Sequence, residues 1–314
     1  MNLLVTGAAG FIGSHFVLRH VEKYPKDRIV VLDLLTYAGR REYLDPVMQK
    51  ITFVQGDIAD TELVKTLVKE QGIDTIINFA AETHVDRSIS DPHPFLHTNV
   101  TGVMSLIQVC RAIPAPRLLH ISTDEVYGDL HDDDAPNAVT DPLLPSSPYS
   151  ASKASGDLLI KASHRTYGIQ AVISRCTNNF GPHQDSEKFM PVVIKKAMKN
   201  ESIPVYGTGK NSRDWLFVTD HTDAIETILA SADFTQCPIF NVSADSEKRN
   251  IDVAKAILRE LGKPESLITY VNDRPGHDWR YALDSSGTHA LGWKPKVSFE
   301  EGLRKTIAWY GGKS

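Results

Sequence analysis

Cysteine is scarce in this chain, with three in 314 residues, at Cys110, Cys176 and Cys237, and no CxxC pair. That scatter excludes a disulfide framework and a cysteine-held metal cluster, and it points to a reducing compartment. No apolar run approaches the ~20 residues that a membrane-spanning helix needs. Positive charge is not in excess either: 34 Lys and Arg against 39 Asp and Glu give a net charge of −5. A global attraction to nucleic acid is thereby excluded. There is no repeat and no low-complexity tract. The first residues do not read as a signal peptide, because Met1 to Val5 runs straight into a strand and a glycine turn. The expectation is a folded cytoplasmic protein with no metal, no membrane contact and no nucleic-acid partner.

What is present is an ordinary globular balance, 41% hydrophobic and 23% charged, in a chain long enough for two lobes. Asn2 to Thr6 reads as a short apolar strand, followed at once by Gly7-Ala8-Ala9-Gly10-Phe11-Ile12-Gly13. A helical pattern then runs to about Tyr24, and a second strand from Arg28 ends at Asp33. The three glycines allow a tight turn, a close backbone approach to a pyrophosphate and close helix packing, while the helix N-terminus attracts phosphate. The spacing is GxxGxxG, a variant of the dinucleotide fingerprint. Asp33 falls where a carboxylate accepts both ribose hydroxyls and repels a 2′-phosphate, which favours NAD over NADP.

More strand–helix units follow. Ile51 to Val54 reads as a strand leading to Asp57 and Ile58, placed to flank an adenine, and a helix is expected over Thr61 to Gln71. Thr75 to Phe79 reads as the next strand, leading to the small pair Ala80-Ala81, which suits close cofactor approach. A long helix is expected from about Phe95 to Ile113, then a buried strand into Ser122. Alternation of this kind means an α/β fold, a doubly wound parallel sheet of Rossmann type. The expected division is residues 1–175, with returning segments near 215–245, as the NAD-binding domain. The main part of 176–314 then forms a smaller C-terminal substrate-binding lobe. His131 to Asp141, acidic and proline-containing, reads as a loop or flap. Thr177 to His183 reads as a loop. The clusters Glu187-Lys188, Arg213-Asp214-Trp215, Asn241 and Arg274 to Tyr281 are also expected on loops, with arginine suited to a diphosphate.

The chemistry concentrates at Ser122-Thr123-Asp124-Glu125, just beyond a strand end, where an open α/β sheet binds its ligand. Tyr149 and Lys153, four apart, share one helical face. A phenol near pKa 10 is a poor base at neutral pH, but a nearby ammonium and an oxidised nicotinamide favour the phenolate. Tyr149 can then take a proton from a sugar hydroxyl, with Thr123 sharing that hydrogen bond and Lys153 holding the nicotinamide ribose. Two adjacent carboxyls, Asp124 and Glu125, can divide acid and base work if their pKa values are separated. Taken singly, each motif also has a plain structural reading, as a surface turn, a helix pair or a solvated acidic turn.

The motifs TGAAGFIGS, LDLLTYAGR, FAAETHVDRSI, STDEVYG, YSASK, NNFGPHQDSEK, RDWLFVTDH and DRPGHDWRYALD resemble the extended short-chain dehydrogenase/reductase superfamily over the whole chain. Within it they resemble the dTDP-glucose 4,6-dehydratases. The resemblance implies Asp124 as the acid at carbon 6 of a hexose, Glu125 as the base at carbon 5 and Tyr149 as the base at carbon 4. Thr123 and Lys153 assist. It places Gly7, Gly10, Phe11, Ile12, Gly13, Asp33, Asp57, Ile58, Ala80, Ala81, Thr83, Asn99, Tyr149 and Lys153 around NAD. On the nucleotide-sugar substrate it places His84, Thr123, Asn178, Glu187, Lys188, Arg213, Asn241, Arg274, His277 and Tyr281. Thr83, Phe180, His183, Ser186 and Trp279 stand where the family pattern has Ser, Tyr, Tyr, Pro and Arg, so the nucleotide (dTDP or UDP) and the hexose stay open. Other nucleotide-sugar enzymes of the same fold also stay open: a UDP-glucose or UDP-N-acetylglucosamine dehydratase, a 5,6-alkene-forming dehydratase, a 4-epimerase or a decarboxylase. So does a non-catalytic NAD-binding regulator. The helix from Phe95 and the helix at Tyr149 resemble the pair that forms a dimer interface in this superfamily, implying a homodimer.

Overall fold

The computed structural model describes residues 1–113 and 116–312. Strand β1 (Asn2–Thr6) leads into helix α1 (Phe11–Lys23), then β2 (Arg28–Asp33) and β3 (Ile51–Gln55). Helix α2 spans Thr61–Gln71, as its punctuation requires. Asp60 accepts from the Leu63 N–H at its start, and Gly72, at φ 60°, closes it in the left-handed conformation. Next come β4 (Thr75–Asn78), α3 (Val85–Ser90) and α4 (His93–Leu96). The long helix expected from Phe95 to Ile113 is interrupted: a π-turn over His97–Gly102 joins α4 to α5 (Val103–Ala112). The apolar spacing tolerates the extra residue, so the interruption leaves no mark in the hydrophobic pattern.

Strand β5 (Arg117–Thr123) is followed by α6 (Pro148–Tyr167) and β6 (Ala171–Cys176). Helix α6 begins with Pro148 behind a Ser147–Ser150 capping box and stops at Gly168. Seven strands make one parallel sheet in the order 3-2-1-4-5-6-10, where β10 is Ile239–Val242. The order reverses between β1 and β4, and that switch point opens a crevice at the carboxyl ends of β1, β4 and β5. The inner strands are buried on both faces, with Leu3, Leu4, Val5, Ile76, Ile77, Leu118 and Leu119 at 0% exposure. Each contributes about 1.5–3 kcal/mol.

The remaining elements sit beyond β6: β7 (Asn178–Phe180), α7 (Phe189–Met198), β8 (Ile203–Tyr206), β9 (Ser212–Phe217), α8 (Val218–Ser231), β11 (Glu247–Arg249), α9 (Asn250–Glu260), β12 (Ile268–Val271), α10 (Ser286–Ala290) and α11 (Phe299–Tyr310). Strands β11, β9 and β7 form a small sheet, and β12 pairs with β8. Two expectations are corrected here. Arg213-Asp214-Trp215 lies on strand β9 and Asn241 on β10, not on loops, and the expected loop Thr177 to His183 contains β7. The reason is long-range. Asp214 accepts from Thr177 Oγ1 and the Ala244 N–H, both at 2.8 Å, and Arg213 donates to the carbonyls of Asp278 and Trp279. Partners so distant in sequence satisfy polar groups that, read locally, look solvent-bound.

Candidate active site

The glycine turn is built against the end of β4. Gly7 has φ +66°, and a Cβ there would stand 2.5 Å from the Ala80 nitrogen. A Cβ on Gly13 would stand 2.6 Å from the Gly7 carbonyl oxygen. Helix α1 has no side-chain cap at Gly10, so the amides of its first turn are left for a ligand. Asp33 Oδ2 and Oδ1 accept from the Ala9 and Leu35 amides, each at 2.8 Å, which fixes the carboxylate beside the turn. One cleft is lined by Gly7, Gly10, Phe11, Ile12, Gly13, Asp33, Asp57, Ile58, Ala80, Ala81 and Thr83 at this end. Bare backbone amides, close-packed small residues and an oriented carboxylate fit a dinucleotide. Asn99 is placed differently from the other expected cofactor residues. It is buried in the π-turn, with Oδ1 accepting from the Glu82 N–H and Nδ2 donating to Glu82 O and Ser152 Oγ. It therefore holds the 80–83 segment instead of lining the cleft.

The same cleft continues over Thr123, Asp124, Glu125, Tyr149, Lys153, Asn178 and Lys188. Thr123 Oγ1 donates to Asp124 Oδ1 at 3.0 Å, while Asp124 Oδ2 is buried without a partner. Burial, reinforced by the charge of Glu125, pushes the Asp124 carboxyl up to about 8. Burial also raises Glu125, but Arg274, Arg213 and Lys188 pull it back. Lys153 donates to the Ile121 carbonyl at 2.7 Å, and burial draws its ammonium down to about 8. The expected lowering of Tyr149 by Lys153 is not what dominates. Burial and the charge of Glu125 push the phenol well above its usual range.

The expected substrate residues divide. Lys188 donates to the Thr83 carbonyl at 2.6 Å, and His84 Nδ1, Asn178 Oδ1 and Arg274 Nε are buried without partners. Of these, Asn178 and Lys188 line the cleft, and an unsatisfied buried group there is what a polar ligand would meet. Arg213 lies over the Tyr281 ring at 4.3 Å, and the Tyr281 hydroxyl donates to Asp278. His277 pairs with Asp273 at 2.6 Å. Two residues are engaged elsewhere. Glu187 forms a two-pronged pair with Arg87, both partly exposed, and Asn241 accepts from Tyr127 while donating to the Asn137 carbonyl. Sequence reasoning passed over Cys176 and Gln184, which line the cleft, and it read Arg280 only as part of the Arg274 to Tyr281 cluster suited to a diphosphate. Arg280 grips Glu247 with two nitrogens and ties down the carbonyls of His131 and Asp134. The acidic flap is thereby anchored. The signal was available in Arg280 itself, the second arginine of the 274–280 run.

The family model described as GDP-mannose 4,6 dehydratase matches residues 4–306. The chain is 48% identical to a dTDP-glucose 4,6-dehydratase of Mycobacterium tuberculosis, covering 99% of this chain and 93% of that one. The chain belongs to the GDP-mannose 4,6 dehydratase family. Among solved structures similar to this family member is a dTDP-glucose 4,6-dehydratase from Streptomyces venezuelae, determined with NAD bound. It is 43% identical with a TM-score of 0.94, and the alignment covers 99% of this chain and 97% of that one. A UDP-glucose 4-epimerase of Thermus thermophilus, at 30% identity over the full length of both chains, has a TM-score of 0.91. For this dehydratase-family chain the cofactor is NAD, and the glycine-lined end of the cleft is where its backbone fits.

Proposed function

We propose that the chain is an NAD-dependent hydro-lyase that converts dTDP-glucose to its 4-keto-6-deoxy product. The observation that carries this reading is the separation of the two neighbouring carboxyls. Burial raises both, but Asp124, with the charge of Glu125 beside it, goes up to about 8 and keeps its proton at neutral pH, whereas Arg274, Arg213 and Lys188 oppose the rise at Glu125. That gives one acid and one base at a single strand end. NAD held at the glycine turn would supply the hydride acceptor for carbon 4 and the hydride donor for carbon 6, and its oxidised form would favour the phenolate of Tyr149. Tyr149 removes the carbon 4 hydroxyl proton, with Thr123 on the same hydroxyl. Once carbon 4 is a ketone, the carbon 5 hydrogen becomes acidic; Glu125 removes it and gives a proton back to carbon 5 when hydride is returned at carbon 6. Asp124 protonates the departing carbon 6 hydroxyl, which leaves as water. Lys153 holds the nicotinamide ribose, while Lys188, Arg213 and Arg274 offer positive charge to the diphosphate.

We assign the lobes as residues 1–175 with 215–245, and the main part of 176–314. Incubation with a panel of dTDP- and UDP-hexoses tests the function. A 4-keto-6-deoxy product from dTDP-glucose supports it. A carbon 4 epimer or a 5,6-alkene as the sole product overturns it.

We also infer a cytoplasmic homodimer. The support is three free, buried cysteines and a set of exposed apolar side chains, Ile89, Leu96 and Leu158, on the packed helices α3, α4 and α6. Light scattering at micromolar concentration should return about twice the 34.8 kDa chain mass, and a monomer would reject the pairing.

A further inference from the structure

Beneath Lys153 lies a buried chain of polar groups that the reaction does not use directly. Asp157 is one helical turn on from Lys153, fully buried on the inner face of α6. Its Oδ2 accepts from Arg175 Nε on β6 at 2.9 Å, while its Oδ1 has no hydrogen-bond partner. His120 on β5 fills the gap between the two charges: its Nε2 is 3.8 Å from Asp157 Oδ1 and 3.5 Å from Lys153 Nζ. On its other side the ring is fixed by Asn78, which donates from Nδ2 to His120 Nδ1 at 2.9 Å. Arg175 continues to the Tyr127 hydroxyl at 2.7 Å, and Tyr127 to Asn241. All these side chains are at most 3% exposed.

We propose that Asp157 is a positioning residue that keeps Lys153 in its ammonium form, and that Arg175 sets how much of the Asp157 charge reaches it. This rests on the reading of Lys153 as the group that holds the cofactor ribose beside Tyr149.

An ammonium drawn out of water tends to lose its proton, and a carboxylate within reach opposes that loss. Lys153 itself donates to a carbonyl, a neutral partner. The charge that favours its ammonium form comes from Asp157, because burial pushes the Cys176 thiol on β6 up to about 12 and leaves it neutral. Asp157 is shared, because Arg175 claims one of its oxygens, and the free oxygen is the one turned toward His120 and Lys153. Other ionisable groups on elements packed against α6 are committed elsewhere. Arg87 faces Glu187, Asp86 faces Arg274, His97 faces Asp57 and Arg111 lies over Tyr167. His93 is exposed, and burial pushes the Cys110 thiol up to about 12. Asp124, Glu125 and Tyr149 line the cleft side.

Activity needs the ammonium, so it is lost as pH rises through the Lys153 pKa, near 8. Asp157→Asn removes the supporting charge, and the alkaline limb of kcat/KM should move down by about one pH unit. Burial raises the Asp157 carboxyl and Arg175 is the main group that opposes this; with Asp157 still ionised, Arg175→Met removes the competing cation and the same limb should move up. A residue that served only to hold the helix in place would lower activity at every pH in both variants and shift neither limb. Because Asp157→Asn leaves Arg175 buried without its counter-charge and can fail to fold, the double variant Asp157→Asn/Arg175→Met is made alongside it. Exchanging a buried pair for neutral groups is often tolerated, and its limb should fall between those of Asp157→Asn and the wild type. Carbon-13 NMR of labelled lysine, with the Lys153 signal assigned by its loss in Lys153→Met, gives the same titration without turnover. Opposite shifts in the two single variants support the proposal, and limbs that stay put, or move together, overturn it. If no nucleotide sugar is turned over, the functional reading fails while the NMR titration still decides the role of Asp157.

Discussion

Tyr149→Phe is expected to abolish oxidation of the substrate, lowering kcat by ~10²–10⁴-fold with little change in the amount of NAD carried. The loss should extend to every later event. Without a ketone at carbon 4 the hydrogen at carbon 5 is not acidic, so removal of one phenolic oxygen silences Glu125 and Asp124 as well. Tyr149 is buried against Phe95, with ring centroids 6.3 Å apart, and loss of the hydroxyl leaves that packing in place. Single-turnover absorbance of the reduced cofactor and deuterium uptake at carbon 5 should both vanish. Uptake that persists in Tyr149→Phe would remove this residue from the first step.

The second large effect divides the carboxyl pair. Glu125→Gln should still allow oxidation at carbon 4 but lose exchange of the carbon 5 hydrogen with solvent deuterium, again by ~10²–10⁴-fold. Asp124→Asn should keep more of that exchange and instead be slow to expel water. The asymmetry follows from the surroundings. Asp124 is 3% exposed and its carboxyl is raised to about 8, so it holds a proton to give. Glu125 faces Arg274, Arg213 and Lys188. Full exchange and turnover in Glu125→Gln would show that the pair is not the elimination machinery.

Much of this was legible in the residues because the signals were local. The Asp60 cap and the Gly72 stop bracket α2, the glycine turn sits between two apolar strands, and Tyr149 and Lys153 share a face by spacing alone. What was not legible depended on distant partners. Arg213 and Asp214 look solvent-bound in sequence, yet both are buried on β9 because backbone groups at 244, 278 and 279 receive them. Asn99 was readable as a cofactor residue but not as the bracket for Glu82, because that depends on the π-turn. Asp157 stands four residues after Lys153, a spacing visible in the sequence. Its partner Arg175 could be found only after β6 was placed beside β5.

The π-turn at His97–Gly102 also makes the chain one residue longer here than a regular helix requires. Most single-residue deletions in a helix twist everything on one side of the cut by about 100° and are damaging. Removing Val100 is instead expected to let α4 and α5 merge into one uninterrupted rod, at the expense of the Asn99 bonds to Glu82. The fold and the hold on NAD are thereby separable by a change of length with no change of chemistry. The shortened protein should keep its far-ultraviolet circular dichroism yet purify with little NAD, and a shortened protein that retained its full complement would show the irregularity to be incidental.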